Sequence, residues 1–486
     1  MNLSFILLFF LGVAVRFYHY DHLSLWYDEL YSMIVATSNV DEFFRELRID
    51  VHPQIYQTLL FIWVKVVGNS PSAGRILSVI FSALAIPIVY FLSIKITDKF
   101  IALSTTIFLT LSGGAIYYAQ EVRSYSLLIL FSGVCFFYWL KLIKDVENPI
   151  NKNSFYLFFI FSLITTYTHY FGFFFVNLQW VYLIIIFFKK DVHRFKFSIF
   201  GLILINLLFL PEIFRNIFIV ASTGGGTWIP KPNLEIYMHF FSYVFYPMSF
   251  KKIPTLAIFF LSLVIPYLID RKSFNKKIRE EKVYYHLLIP TLYIISSLLL
   301  FTFLISQFKP LVTSRNLLVI LIPIYFLVST WYSLSPKLNG LKQSLVALVI
   351  SGLMFASFSK YYYKDFIKEP WKDVTSYAAE VVGENGYVFS FRNSRMVDYY
   401  LVNVYKNRPS KNLNGSLKEF EKFFLEAKQF KVKNLVFIET PWDYINQEED
   451  KKNIAIILNQ LKENSLSSNY KFFYGMKVYS YELKFD

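Results

Sequence analysis

Long apolar runs limit what this chain can fold into more than any other feature. Residues 5–15, 76–94, 155–167 and 253–269 approach or reach the roughly 20 apolar residues that cross a bilayer. Taken along the whole chain, they predict about eleven membrane helices, near residues 3–18, 73–94, 100–118, 124–143, 154–170, 172–188, 196–214, 253–270, 283–305, 314–333 and 342–360. A chain of 486 residues that is 55% hydrophobic and carries this pattern is expected to be a polytopic α-helical membrane protein. The first run lacks a basic flank and a small-residue cleavage site, so it reads as an uncleaved first helix.

The net charge of +15 does not point to nucleic acid, because Lys and Arg fall in alternate loops. One set of loops holds Lys95 and Lys99, then Lys141, Lys144 and Lys152, then Lys189, Lys190, Arg194 and Lys196, then the basic segment 271–282, then Lys337 and Lys342. The positive-inside rule places these in the cytoplasm. The other loops, including residues 19–55, then face outward, as does the C-terminus. The single cysteine, Cys135, lies in an apolar run and excludes an internal disulfide.

The outward loop 19–55 is dense in ionisable groups: Asp28, Glu29, Asp41, Glu42, Glu46, Asp50 and His52. Each would cost roughly 2.5 kcal/mol or more in lipid, so the loop is expected to be wet. Residues 52–67 start at Pro53 and read as an amphipathic helix at the interface. Residues 1–362 are therefore expected to form a transmembrane catalytic domain. Beyond them the composition turns polar, and residues 363–486 are expected to form a small extracytoplasmic α/β domain. Its strands are expected at 387–391 and 434–438, and a hairpin around Tyr474-Gly475. Ser416 and Glu419 read as a capping box, and 448–463 as a further helix.

Chemistry-bearing residues from distant segments share the outward side by topology. Asp28 and Glu29 are adjacent, about 100° apart on a helix. Asp50 and His52 precede Pro53. Glu121, Arg123 and Tyr125 lie in Y-Y-A-Q-E-V-R-S-Y, His169 in Y-T-H-Y-F-G, and Lys309 and Arg315 flank a later turn. A carboxylate can accept a proton from an attacking hydroxyl or amine, and Arg or Lys can hold a phosphate leaving group. There is no Walker A loop, G-x-G-x-x-G or H-E-x-x-H, so nothing favours nucleotide use or zinc proteolysis.

W-Y-D-E (26–29), D-V-H-P-x-x-Y (50–56), Y-Y-A-Q-E-V-R-S-Y (117–125), Y-T-H-Y-F-G (167–172) and S-R-N-L-L (314–318) together resemble the bacterial glycosyltransferase family 39 proteins. These are C-type (GT-C) integral-membrane enzymes similar to protein O-mannosyltransferases and to the lipid A aminoarabinose transferase. The resemblance implies a polyprenyl-phosphate-linked sugar donor, transfer at the outer face of the inner membrane, and inversion at the sugar carbon. The acceptor would be a glycan, a lipid or a protein. On that resemblance Asp28 is the general base with Glu29 as its catalytic neighbour, and Arg123 binds the donor phosphate. Asp50, His52, Glu121, Tyr125, His169, Lys309 and Arg315 are the further substrate-binding candidates. Gln54 replaces the second Pro of the family's H-P-P-x-Y stretch. Some relatives bind a divalent metal, for which Asp28, Glu29 and His52 would be the ligands here, and no other cofactor is expected. The alternatives are a transporter or flippase of a lipid-linked glycan, which would favour ionisable groups at mid-membrane and internal repeats, and a non-catalytic assembly partner.

Overall fold

Apolar sequence periods of this length become helices because a helix satisfies its own backbone in lipid. A computed structural model of the chain describes residues 3–148, 152–223, 229–245, 263–264, 266–268, 271–280, 282–335, 337–338, 340–364, 367–383, 386–444 and 447–484. Seven helices among the described residues are long and apolar enough to span: Pro71–Ser93, Tyr125–Glu147, Tyr170–Phe187, Val192–Ile219, His286–Phe308, Asn316–Ser333 and Leu341–Tyr362. Lys99–Thr110 and Gly113–Ala119 add an eighth as a span bent by 53°. The remaining expected spans are the shorter helices Leu3–Phe17 and Lys152–Thr168, and 253–270, most of which lies outside the described residues. The glycine run 224–226 also lies outside them. The chain is a polytopic helical membrane protein with a small C-terminal sheet domain.

It divides into two units, Met1–His19, Val40–Leu60 and Arg75–Phe366 in the first, and Tyr20–Asn39, Phe61–Gly74 and Ile367–Asp486 in the second. In the first unit the basic loops gather at one end of the helices. Lys144 Nζ donates to the Ile96 carbonyl at 3.0 Å, and the Arg194 guanidinium donates to the carbonyls of Asp145, Val146 and Asn148. Tyr125, at the other end of the helix Tyr125–Lys144, is about 30 Å away at 1.5 Å per residue.

The bent span is built from identifiable parts. Ser112 caps Gly113–Ala119 by accepting from the Ala115 amide. Gly113 lets Phe358 approach, since a Cβ there would lie 2.9 Å from Phe358 Cδ2. The carbonyls freed at the end of Lys99–Thr110 are met by Arg16, which is fully buried in Leu3–Phe17. Its guanidinium donates to the Leu109 and Thr110 carbonyls, each at 3.1 Å, and to Ser82 Oγ at 2.7 Å. Gln120 Nε2 then donates to the Arg16 and Tyr18 carbonyls, each at 3.0 Å. Residues 120–124 are non-helical, so Glu121 and Tyr125 do not lie on one helix.

The second unit contains a five-stranded sheet in the order β2-β1-β3-β5-β4: β1 Tyr387–Ser390, β2 Lys411–Asn412, β3 Asn434–Glu439, β4 Ser465–Phe473 and β5 Met476–Leu483. β2, β1 and β3 are parallel, while β5 runs antiparallel to both β3 and β4. The core is Phe389, Phe420, Phe423, Leu435, Phe437 and Ile457, all buried. The hairpin β4–β5 turns at Gly475, whose φ of +72° suits glycine. Ser416 stands at the N-cap of Leu417–Gln429 but makes no side-chain cap bond. The Ser416 amide is itself bonded to the Leu413 carbonyl of the preceding turn at 2.9 Å. The segment 19–55, expected as one wet loop, contains two helices, Tyr27–Thr37 and Val40–Ile49.

Candidate functional site

In the first unit, the helix ends opposite the basic loops bring six of the sequence-selected residues together. His52 stands at the centre. Its Nδ1 lies 3.2 Å from Asp50 Oδ1, and its Nε2 lies 3.2 Å from Arg123 Nη2. A guanidinium only donates, so Nε2 accepts from Arg123 and Nδ1–H donates to Asp50. The His52 amide also donates to Asp50 Oδ1 at 2.9 Å. Burial pushes the Asp50 carboxyl up, but the His52 hydrogen bonds and the charge of Arg123 outweigh it and hold Asp50 below its usual range. The result is a line, carboxylate to imidazole to guanidinium, that fixes where Arg123 points.

His169 and Tyr125 complete the wall. His169 caps the helix Tyr170–Phe187, its Nδ1 accepting from the Phe171 amide at 3.1 Å. Its proton therefore sits on Nε2. Burial, reinforced by the charges of Arg123 and Arg315, lowers the His169 pKa well below the ordinary value, so the ring is neutral at pH 7. Its centroid lies 6.2 Å from that of His52 and 5.8 Å from that of Tyr125. The Arg315 guanidinium sits over the Tyr125 ring, 5.9 Å from its centroid. Arg123 and Arg315 thus both act on this uncharged histidine. An anion placed there would meet two fixed cations in a partly dry setting, where charge–charge attraction exceeds its value in water.

Two residues passed over in the sequence hold this cluster in place. Arg215, near the end of Val192–Thr223, donates to the carbonyls of Leu47 at 2.9 Å, His52 at 2.8 Å, and Asp50. It is paired with Glu212 one turn earlier, and Glu212 accepts from the Tyr170 hydroxyl at 2.8 Å. The neighbouring Asn216 donates to the Val51 carbonyl at 3.1 Å. Gln54 ties the same loop back, with Nε2 donating to the Leu47 carbonyl at 3.2 Å. The signal was present: a Glu and an Arg three apart at the end of an apolar helix are costly there unless they serve a purpose.

Four further candidates are placed by their own elements. Glu121 is buried in the turn before Tyr125, its carbonyl accepting from the Arg123 amide at 2.9 Å. Lys309 is exposed just past the helix Lys282–Phe308. Asp28 and Glu29 belong to the second unit, in the first turn of Tyr27–Thr37. Asp28 is half-buried there. Glu29 is fully buried and pairs with Lys368, Nζ to Oε2, at 3.0 Å. As a fit for a divalent metal the proposed donors are poor, since both His52 ring nitrogens and the Glu29 carboxylate already have protein partners. Among the described residues no three His, Cys, Asp or Glu side chains form a metal-binding group.

No known family profile matches the sequence, and no curated protein matches it. The fold has solved counterparts. It resembles the crystal structure of ArnT from Cupriavidus metallidurans in the apo state, with a TM-score of 0.57 at 9% identity, covering 98% of this chain and 97% of that one. It equally resembles ArnT from the same organism bound to undecaprenyl phosphate, with a TM-score of 0.58 at 9% identity over the same shares. At that identity the likeness concerns architecture alone: the chain has the GT-C fold seen in ArnT.

Proposed function

We propose that this protein is an integral-membrane glycosyltransferase that moves a sugar from a polyprenyl-phosphate carrier to an acceptor at the outer face of the cytoplasmic membrane. The observation that carries the reading is the Arg123–Arg315 pair around neutral His169, with Arg123 aimed by the Asp50–His52 line. The GT-C fold, shared with a protein solved with undecaprenyl phosphate bound, supports it. So does the gathering of basic loops at the far end of the helices, which by the positive-inside rule puts the cation cluster outside. On this reading the C-terminal α/β domain is also extracytoplasmic.

The chemistry follows from the roles. Arg123 and Arg315 bind the donor phosphate and stabilise the charge that grows on it as the glycosidic C–O bond breaks. The His169 Nε2–H is a further, uncharged donor to the same group. The acceptor's nucleophilic atom attacks the anomeric carbon from the face opposite the phosphate. A new bond forms there, polyprenyl phosphate departs with the bonding electron pair, and the configuration inverts. The acceptor's proton goes to a general base, the role that the sequence resemblance gives to Asp28. No step requires a metal.

The test supplies the purified protein, reconstituted in lipid, with an undecaprenyl-phosphate-linked sugar and an envelope extract as acceptor source. Release of undecaprenyl phosphate coupled to labelled product is expected for the wild type and is lost in Asp28→Asn with folding retained. Undiminished transfer by Asp28→Asn sinks the assignment of the base. Movement of the lipid-linked sugar across the bilayer without any transfer points instead to a flippase.

A further inference from the structure

The second unit carries a pair of aromatic rings, Tyr27 and Trp442, 4.9 Å apart. β1 and β3 are adjacent and parallel. The chain leaving β1 enters the helix Ser394–Asn403 and goes on to β2 on one side. The chain leaving β3 enters Gln447–Glu463 and goes on to β4 and β5 on the other. Connections that part in this way open a crevice at the carboxyl ends of the two strands, where α/β sheets bind their ligands.

The crevice rim is rigid. Asp443 locks the two strand ends together, accepting from the Asn393 side chain at 2.9 Å and from the Arg392 amide at 3.1 Å. It also accepts from the Thr440 amide at 2.7 Å. The turn Pro441–Asp443 presents Trp442, which is 45% exposed. The indole does not swing freely: its Nε1 donates to Glu369 Oε1 at 3.0 Å. The other oxygen of Glu369 accepts from Trp371 Nε1 at 2.7 Å and from the Tyr27 amide at 3.0 Å. Trp371 is fully buried, which anchors the whole arrangement. The Tyr27 ring lies 4.9 Å from the Trp442 ring, tilted by 37°. The next residue along the chain is Asp28, and both its charge and that of the exposed Arg395 act on the Tyr27 hydroxyl.

A large exposed aromatic is normally left mobile. Here a half-buried carboxylate bonded to three donors fixes its plane, so the ordering cost of stacking a ligand on it is already met. An apolar ring face bordered by carboxylates, a guanidinium and a phenol matches a sugar ring, which has an apolar C–H face and a rim of hydroxyls. We propose that Trp442 and Tyr27 form a stacking subsite for a saccharide ring of the acceptor, with Glu369 holding the indole in place. The word acceptor rests on the glycosyltransferase reading; the saccharide subsite does not.

Saturation-transfer NMR on the full chain in nanodiscs tests this, using maltotriose, cellotriose, mannotriose and chitotriose as separate probes. Ring C–H protons of at least one probe are expected to receive saturation from the wild type and equally from Arg123→Ala. Trp442→Phe and Trp442→Leu both lose the Nε1 bond and stay apolar, so they differ in the aromatic face alone. The signal should persist in the Phe variant and fall about five-fold further in the Leu variant, the worth of roughly 1 kcal/mol of ring stacking. No signal with any probe, or equal signals from the two variants, overturns the subsite. A Trp442-dependent signal in a protein that never releases undecaprenyl phosphate leaves the subsite standing and removes the proposed reaction.

Discussion

The Glu29–Lys368 pair offers a sharp separation between a structural and a chemical role for the second acid of W-Y-D-E. The side chains are 0% and 3% exposed, with Nζ and Oε2 3.0 Å apart, and Trp26 N–H approaches the same oxygen at 3.4 Å. Lys368→Met removes the cation and strands a buried carboxylate, which costs about 3–5 kcal/mol. For a unit of this size each kcal/mol shifts the melting point by about 2–4 °C, so the variant should melt about 6–20 °C lower. The double variant Glu29→Gln/Lys368→Met removes both charges while keeping an acceptor for the Trp26 amide, and it should recover most of that loss. Scanning calorimetry of the reconstituted protein reads the stability, and undecaprenyl phosphate release reads the turnover. If Glu29 only secures the helix that carries Asp28, stability and turnover return together in the double variant. A double variant that regains its melting point and stays inactive assigns chemistry to Glu29. A Lys368→Met protein that melts like the wild type refutes the buried-pair argument itself.

Arg123→Ala removes a charge-assisted contact worth about 1.5–3 kcal/mol, so kcat/KM for the donor should fall about 10–150-fold; Arg123→Lys should regain part of it, and a wild-type rate in the Ala variant argues against the phosphate site. Asp50 has a folded-state pKa below its ordinary value, so its stabilising contribution is present above pH 3.8, the unperturbed value, and is lost as pH falls through the lower folded value. Melting curves from pH 7 to pH 3 should therefore show Asp50→Asn losing ground to the wild type throughout that range, with the gap closing only at the acid end; a gap that closes near pH 6 contradicts the assignment. Arg215→Ala strips the clamp from the carbonyls of Leu47, Asp50 and His52 and should loosen that loop by roughly 1–3 kcal/mol. Hydrogen exchange at residues 47–52 should then accelerate about 5–150-fold, and unchanged exchange there means that other contacts hold the loop.

How much of this was legible in the sequence depends on the range over which each cause acts. Helix spans were readable because hydrophobic runs and bilayer thickness are local facts, and the hairpin at Gly475 and the strands at 387 and 434 announced themselves through local pattern. His52, Arg123, His169 and Arg315 could be placed on one side by counting charged loops, since topology alone sends alternate helix ends to the same face. What topology does not convey is pairing. Nothing near Glu29 marks Lys368, which lies 339 residues away, and the burial that turns this acid into an anchor arises only when the strand–helix unit closes around 20–39. The bend at 111–112 escaped notice for the same reason: Arg16, 93 residues before Leu109, is what makes a broken span tolerable by capping carbonyls that lipid would leave bare. Trp442 carried no signal either, because an exposed tryptophan in a polar stretch is ordinary until Glu369 is found holding its edge. The proposed centre thus draws its direction from residues that stand out in the sequence, while its rigidity comes from partners visible only in three dimensions. Arg123 is aimed by a histidine whose tautomer is set by Asp50, on a loop whose carbonyls are held by Arg215. Removing any one of these should misdirect the guanidinium and leave the helices intact.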